Sequence, residues 1–145
     1  MSAPRPPEPV RSAGERTVDV NRAFYESHWA GSWKARFMYD PISKRNIALD
    51  CLRRTKSWPR ELRVLDIGFG FGLILFSLDR SNRITGVELA TSALEFGRKE
   101  AVRRGFREAR FVEYAGSGPV PLQDASYDLI VCSHVLEHVP DDRFL

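Results

Sequence analysis

Gly68, Gly70 and Gly72 stand at alternate positions directly after the apolar run LRVLDI at 62–67. A turn without Cβ atoms lets the backbone reverse sharply and approach a ligand closely. Two carboxylates frame it: Asp66, two residues before the first glycine, and Glu88, at the end of a second apolar run, RITGVEL. Their charge selects the ligand. A dinucleotide would lay its pyrophosphate on the glycine turn, where like charge at Asp66 costs of order 4 kcal/mol at about 4 Å and an effective dielectric of about 20. The dinucleotide fingerprint also places its third glycine one residue later, where this chain has Leu73. A cationic ligand without phosphate meets the same residues favourably, and Glu88 can accept hydrogen bonds from both hydroxyls of a ribose.

S-adenosylmethionine has that chemistry: an ammonium and a sulfonium, and no phosphate. The chain resembles the class I S-adenosylmethionine-dependent methyltransferase superfamily, in particular its small-molecule type with a D-x-G-x-G-x-G loop and a later LEHV segment. Here these read DIGFGFG and HVLEHVPD, and the likeness runs from about 60 to 145 with its parts in order. The resemblance implies that Asp66 and Gly68 hold the methionine end of the cofactor, that Gly70 and Gly72 let it pass, and that Glu88 with Leu89 receives the adenosine. Ser133 and His134 would lie near the methyl group. In two places the chain departs from the family pattern. Phe69 stands where a small residue is usual, so its ring must turn away from the cofactor that its backbone would line. After the third strand, where an acidic residue commonly faces the adenine, the chain reads YAGSGPV and offers Gly116 or Ser117.

The activity implied is methyl transfer to a small-molecule acceptor. The tip of the fourth strand lacks the Asp/Asn-Pro-Pro-aromatic signature of enzymes acting on amide or nucleobase amines, which points to oxygen or carbon instead. His134 is the candidate general base, since imidazoles titrate near neutrality. HVLEH also matches the H-x-x-E-H pattern of one class of zinc enzymes. With His134 at a strand end and Pro140 close behind, no metal is expected, and Glu137 and His138 are read as orienting the loop. A non-catalytic cofactor-binding module and a nicotinamide oxidoreductase are the rival readings.

These residues need a scaffold. LRVLDI, RITGVEL at 83–89, ARFVEY at 109–114 and YDLIVCS at 127–133 read as strands, and LILFSL at 73–78 as helix. Ser92 and Glu95 suggest a capping box opening the helix SALEFGRKEAVRR, with Gly105 as its C-cap. Strands alternating with helices predict an α/β fold with a doubly wound parallel sheet, and the resemblance implies that this sheet is Rossmann-like, of order 3-2-1-4, and incomplete against the seven strands of the family. Pro41 suits the first turn of a helix to about Lys56, with Ile47, Ala48, Cys51 and Leu52 on the face that packs on the sheet. From Asn21 to Tyr39 the aromatics Phe24, Tyr25, Trp29, Trp33 and Phe37 suggest one or two short helices that line a substrate pocket or pack on the core, and His28 is a lesser candidate base.

The domain layout expected is a disordered arm at 1–18, rich in proline, a helical cap at 19–59, and the N-terminal part of a cofactor-binding domain at 60–145. With 43% hydrophobic and 28% charged residues, the composition suits an ordinary globular chain. No apolar stretch reaches the length of a membrane span and the N-terminus lacks the apolar core of a secretory signal, so a cytoplasmic setting without membrane partners is expected. Cys51 and Cys132 read as buried thiols. Residues 1–63 carry 13 Lys and Arg against 7 Asp and Glu, but no aromatic-basic motif accompanies them, and no nucleic-acid partner is expected. Strand four would be left as an apolar edge open to self-association, and a chain ending here is expected to bind cofactor weakly or not at all and to methylate nothing.

Overall fold

The computed structural model describes residues 13–31, 39–55, 58–114 and 118–139. In order it contains α1 (Ala13–Gly31), α2 (Tyr39–Arg54), β1 (Arg63–Ile67), β2 (Arg83–Glu88), α3 (Thr91–Arg104), β3 (Ala109–Glu113) and β4 (Leu129–Cys132). The four strands form one parallel sheet of order β3-β2-β1-β4, the order predicted. Asp66 pairs in register with Gly86 on one side and Val131 on the other, and Gly86 with Phe111. β1 and β2 are buried on both faces past their first residue, which is why they read as unbroken apolar runs rather than alternating ones.

The sheet separates two cores. On one face Val64, Ile84 and Phe111 pack with Leu49 of α2 and Leu94 and Ala101 of α3. On the other, Leu65, Ile67, Val87 and Tyr114 are covered by Val120, Leu122, Tyr127 and Val135. Phe69 resolves its own misfit in the first core. Its ring, 5% exposed, lies 5.2 Å from that of Phe111. Gly86 and Gly97 make room for it: a Cβ on Gly86 would meet the Phe69 ring at 2.7 Å, and one on Gly97 the Phe111 ring at 2.7 Å.

Several expectations are corrected. LILFSL forms only a 3-10 turn at Leu75–Ser77. Leu75, Phe76 and Leu78 are all buried, which is not the stripe of one helical face. An Asx turn from the Asp79 carboxylate to the Ser81 N–H ends the segment. The capping box is absent. α3 begins at Thr91 with Ala90 as N-cap, two residues too early for Ser92 to serve, and Ala90 offers no side-chain bond. Gly105 ends α3 in the left-handed conformation, φ 78°, as predicted. α2 buries Leu49, while Ile47 is 66% exposed. Cys51 and Cys132 are exposed rather than buried, Cys132 at an exposed position of the alternating β4. α1 starts at Ala13, inside the segment read as a disordered arm. Residues 1–12 lie outside the described residues, as do Trp33 and Phe37 and the side chains of His28 and Trp29. Among the described residues no helix is long and apolar enough to cross a membrane.

Candidate functional site

The C-terminal ends of β1, β2 and β4 open into a cavity of about 460 Å³, roofed by α1 and flanked by α2. Its floor is the glycine turn. Gly68, Gly70 and Gly72 adopt φ of 68°, 52° and 63°, values that favour glycine. The N–H groups of Gly68 and Phe69 both donate to the Val87 carbonyl, at 2.8 and 3.3 Å, so the turn is tied to the tip of β2.

The two carboxylates differ in their surroundings. Asp66 is 4% exposed and accepts no hydrogen bond from any described residue; burial, and secondarily the charge of Glu88, pushes its pKa up to about 8. A buried carboxyl without donors is costly unless something cationic or hydrogen-bonding completes it. Glu88 is nearly as buried but well supplied: Gly70 N–H donates to Oε2 at 3.0 Å, Leu89 and Ala90 N–H to Oε1 at 2.7 and 3.3 Å. Burial raises its pKa and these bonds oppose the rise. Three of its roughly four lone-pair positions are thus used. One on Oε2 remains, and the long Ala90 bond is the one that would yield to a second donor.

α1 contributes more than packing. Val18, Asn21 and Tyr25 line the cavity, spaced as neighbours on one helix face. Beside them Arg22 donates to the Leu89 carbonyl at 3.2 Å and to Glu113 Oε1 at 2.6 Å. Glu26 caps α3 from outside, accepting from the N–H groups of Thr91 and Ser92 at 2.5 and 3.3 Å and from the Ser92 hydroxyl at 2.7 Å. The β2–α3 turn is therefore held by Glu88 from within and by α1 from above. Opposite it, the Tyr25 ring meets His138 edge-on at 5.7 Å, and Asn21 Nδ2 donates to the His138 carbonyl at 3.0 Å. Burial, with Glu88 and Glu137, raises the Tyr25 pKa.

Asp66, Gly68, Phe69, Gly70, Glu88, Leu89, Ser133 and His134 all line this cavity. Phe69 does so with its backbone, its ring being in the core. Gly72 is not among the lining residues; a Cβ there would meet the Phe76 ring at 2.6 Å, so it serves packing under the turn. Ser117 and Gly116 lie outside the described residues. Reading the sequence missed Asn21, Lys44 and Arg45, which come from α1 and α2, and singled out Tyr25 only within an aromatic group. The result is a cleft with an acidic pole at Asp66 and Glu88, an apolar middle, and a histidine at the tip of β4. It can hold an elongated molecule with a cationic group at one end and present a proton acceptor to a second reactant.

Residues 65–145 match a family model described as a methyltransferase domain. The ubiquinone biosynthesis O-methyltransferase of Leptothrix cholodnii is 28% identical over 111 residues, covering 75% of this chain and 47% of the relative. Among solved structures, the YcgJ protein of Bacillus subtilis is 29% identical with a TM-score of 0.56, covering 68% of this chain and 42% of that one. A DhpI complex with SAM and HEP superposes with a TM-score of 0.61 over 93% of this chain and 58% of that one, at 23% identity, a likeness of fold. The chain spans about half the length of the curated relatives it matches.

Proposed function

The chain belongs to the methyltransferase-domain family, and from that premise we propose that it binds S-adenosylmethionine and serves methyl transfer to a hydroxyl oxygen of a small-molecule acceptor. The observation that carries this reading is Asp66, a buried carboxyl without a hydrogen-bond donor among the described residues, at the head of a turn of left-handed glycines. The cofactor's ammonium is the complement such a group lacks, and the residues present fit it. Asp66 and the Gly68 turn take the amino-acid end; Gly70 leaves room above the turn; Glu88 and Leu89 take the ribose. Phe69 contributes backbone alone and Gly72 keeps the turn's shape. Ser117 is assigned to the adenine edge, and Ser133 and His134 to the mouth where acceptor and cofactor meet. The bound cofactor supplies an electrophilic methyl group on a positively charged sulfur. The chain's own part is to align the acceptor, exclude water and receive a proton.

Oxygen is preferred over carbon as the acceptor atom because the curated relatives are named as O-methyltransferases. In this reading residues 19–59 form a cap over a cofactor-binding unit at 60–145, preceded by an arm, and the reaction takes place in the cytoplasm. A second reading, a module that binds cofactor without turnover and associates through β4, is favoured by Ile130, which is 58% exposed on that strand. Titration calorimetry with S-adenosylhomocysteine separates the readings. The wild-type chain is expected to bind, and Glu88→Ala to weaken binding about 10-fold or more, the loss of about 1.4 kcal/mol. NADH binding in its place would sink the assignment, and binding of neither would favour a module that has lost its ligand.

A further inference from the structure

His134 and Glu137 are the two side chains of the β4 tip whose arrangement the cofactor assignment leaves unexplained. His134 Nδ1 lies 3.1 Å from Glu137 Oε1. An ionised carboxylate has no hydrogen to give, so the ring nitrogen that faces it must carry one. His134 also holds φ at 57°, in the left-handed region. That conformation is uncommon for a residue with a Cβ and is strained. The neighbours impose it. Val135 packs its Cγ2 where a Gly68 Cβ would stand, the His138 N–H closes a turn on the Val135 carbonyl at 2.9 Å, and Asn21 of α1 fastens the His138 carbonyl. The strained backbone turns His134 into the lining of the same cavity as Asp66 and Gly68 while leaving about half of its side chain exposed.

We propose that Glu137 is a positioning residue that holds the His134 imidazole with its proton on Nδ1 and so presents Nε2 to the cavity as a base, which selects a hydroxyl as the acceptor group. The proposal rests on the methyl-transfer reading given above. The acceptor's O–H bond breaks toward Nε2, its electron pair forms the new bond to the methyl carbon, and the carbon–sulfur pair stays on sulfur. The imidazolium then passes its proton to water. A free histidine favours the opposite tautomer, with Nε2 protonated and unable to accept. The carboxylate at 3.1 Å is what reverses the choice.

The test reads the tautomer directly and needs neither cofactor nor acceptor. Long-range proton–nitrogen correlation spectra of the histidine rings are recorded in alkaline buffer, where imidazoles are neutral, with His134 assigned by its loss in His134→Gln. In the wild-type chain His134 is expected to show a protonated Nδ1 and a bare Nε2. Glu137→Ala should exchange the two resonance positions. Glu137→Gln, whose amide oxygen still accepts from Nδ1–H, should restore the wild-type pattern. A wild-type His134 protonated on Nε2, or an unchanged pattern in Glu137→Ala, overturns the proposal. Glu137 is about half exposed, so its substitution leaves the cores intact. Should the tautomer behave as expected while S-adenosylhomocysteine fails to bind, the cofactor assignment falls and the positioning role of Glu137 stands.

Discussion

At Asp66 the sheet keeps a carboxyl for which no described residue provides a partner. In the unfolded chain the group loses its proton near its ordinary value of 3.8; in the folded chain it keeps the proton up to about pH 8. Folding therefore takes up a proton between those values, and the stability this group contributes falls as pH rises through that window. Asp66→Asn is expected to be more stable than the wild type at pH 8 by at least about 1 kcal/mol, with the difference closing near pH 4, as read by urea unfolding at the two pH values. The same variant should lose S-adenosylhomocysteine binding. A variant no more stable than the wild type at pH 8 would show that a donor completes Asp66 within the protein. Phe69 illustrates the opposite case, a residue that looks wrong for a ligand turn and is fully accommodated, because Gly86 and Gly97 on two other elements make room for its ring.

Between elements, the docking of α1 decides how α3 begins. The first N–H groups of a helix lack partners within it and carry a partial positive charge, so a carboxylate placed there is stabilising. Glu26 provides it from α1, and the Ser92 hydroxyl bond, ahead of the backbone bonds, holds its pKa below the ordinary carboxylate value. Glu26→Ala should cost about 1 kcal/mol, the usual worth of an N-cap, and hydrogen exchange at the Thr91 and Ser92 amides should accelerate while that in β1 and β2 stays slow. Unchanged exchange at those amides would mean that α1 does not rest on α3 in solution. Arg22 works at the same junction, joining the Leu89 carbonyl to Glu113, so α1 bears on both the turn after β2 and the end of β3 beside the acidic pole of the cavity.

Over the whole molecule the titrating groups act in opposite directions. Glu100 is buried on α3 and gripped by Arg103 at 2.6 Å and by Arg104, which also donates to the Phe76 carbonyl. The Arg103 hydrogen bond leads in holding its pKa at about 2 against an ordinary 4.5. The stability it contributes is present above its ordinary value and is lost as pH falls from there toward its folded one. Asp128, held well below the usual carboxylate range by its hydrogen bonds with Arg63, loses its contribution in the same direction. With Asp66 working the other way, the unliganded chain is expected to be most stable in mildly acidic solution, between the acid limb set by Glu100 and the alkaline decline set by Asp66. Thermal unfolding followed from about pH 3 to about pH 9 checks this. Glu100→Gln should flatten the acid limb and leave the alkaline one alone.

Through its resemblance to a family the sequence supplied the strand order; by its own residues it determined the strands, the glycine turn and the two carboxylates that frame it. Those features are written in short-range pattern: an apolar run such as RVLDI reads as a strand buried on both faces, and glycines spaced by one residue after it read as a close turn. The tertiary structure alone decided which side chains complete the site. Glu26 caps a helix 65 residues away, Asn21 reaches the loop after β4 across 117, and Glu137 meets His134 only because the backbone there is turned into the left-handed region. The same limit explains the misread capping box, the short turn at Leu75–Ser77 and the exposed cysteines. A residue's neighbours within one turn set its propensity, but which helix face docks, and what then covers it, depends on contacts that local spacing does not encode.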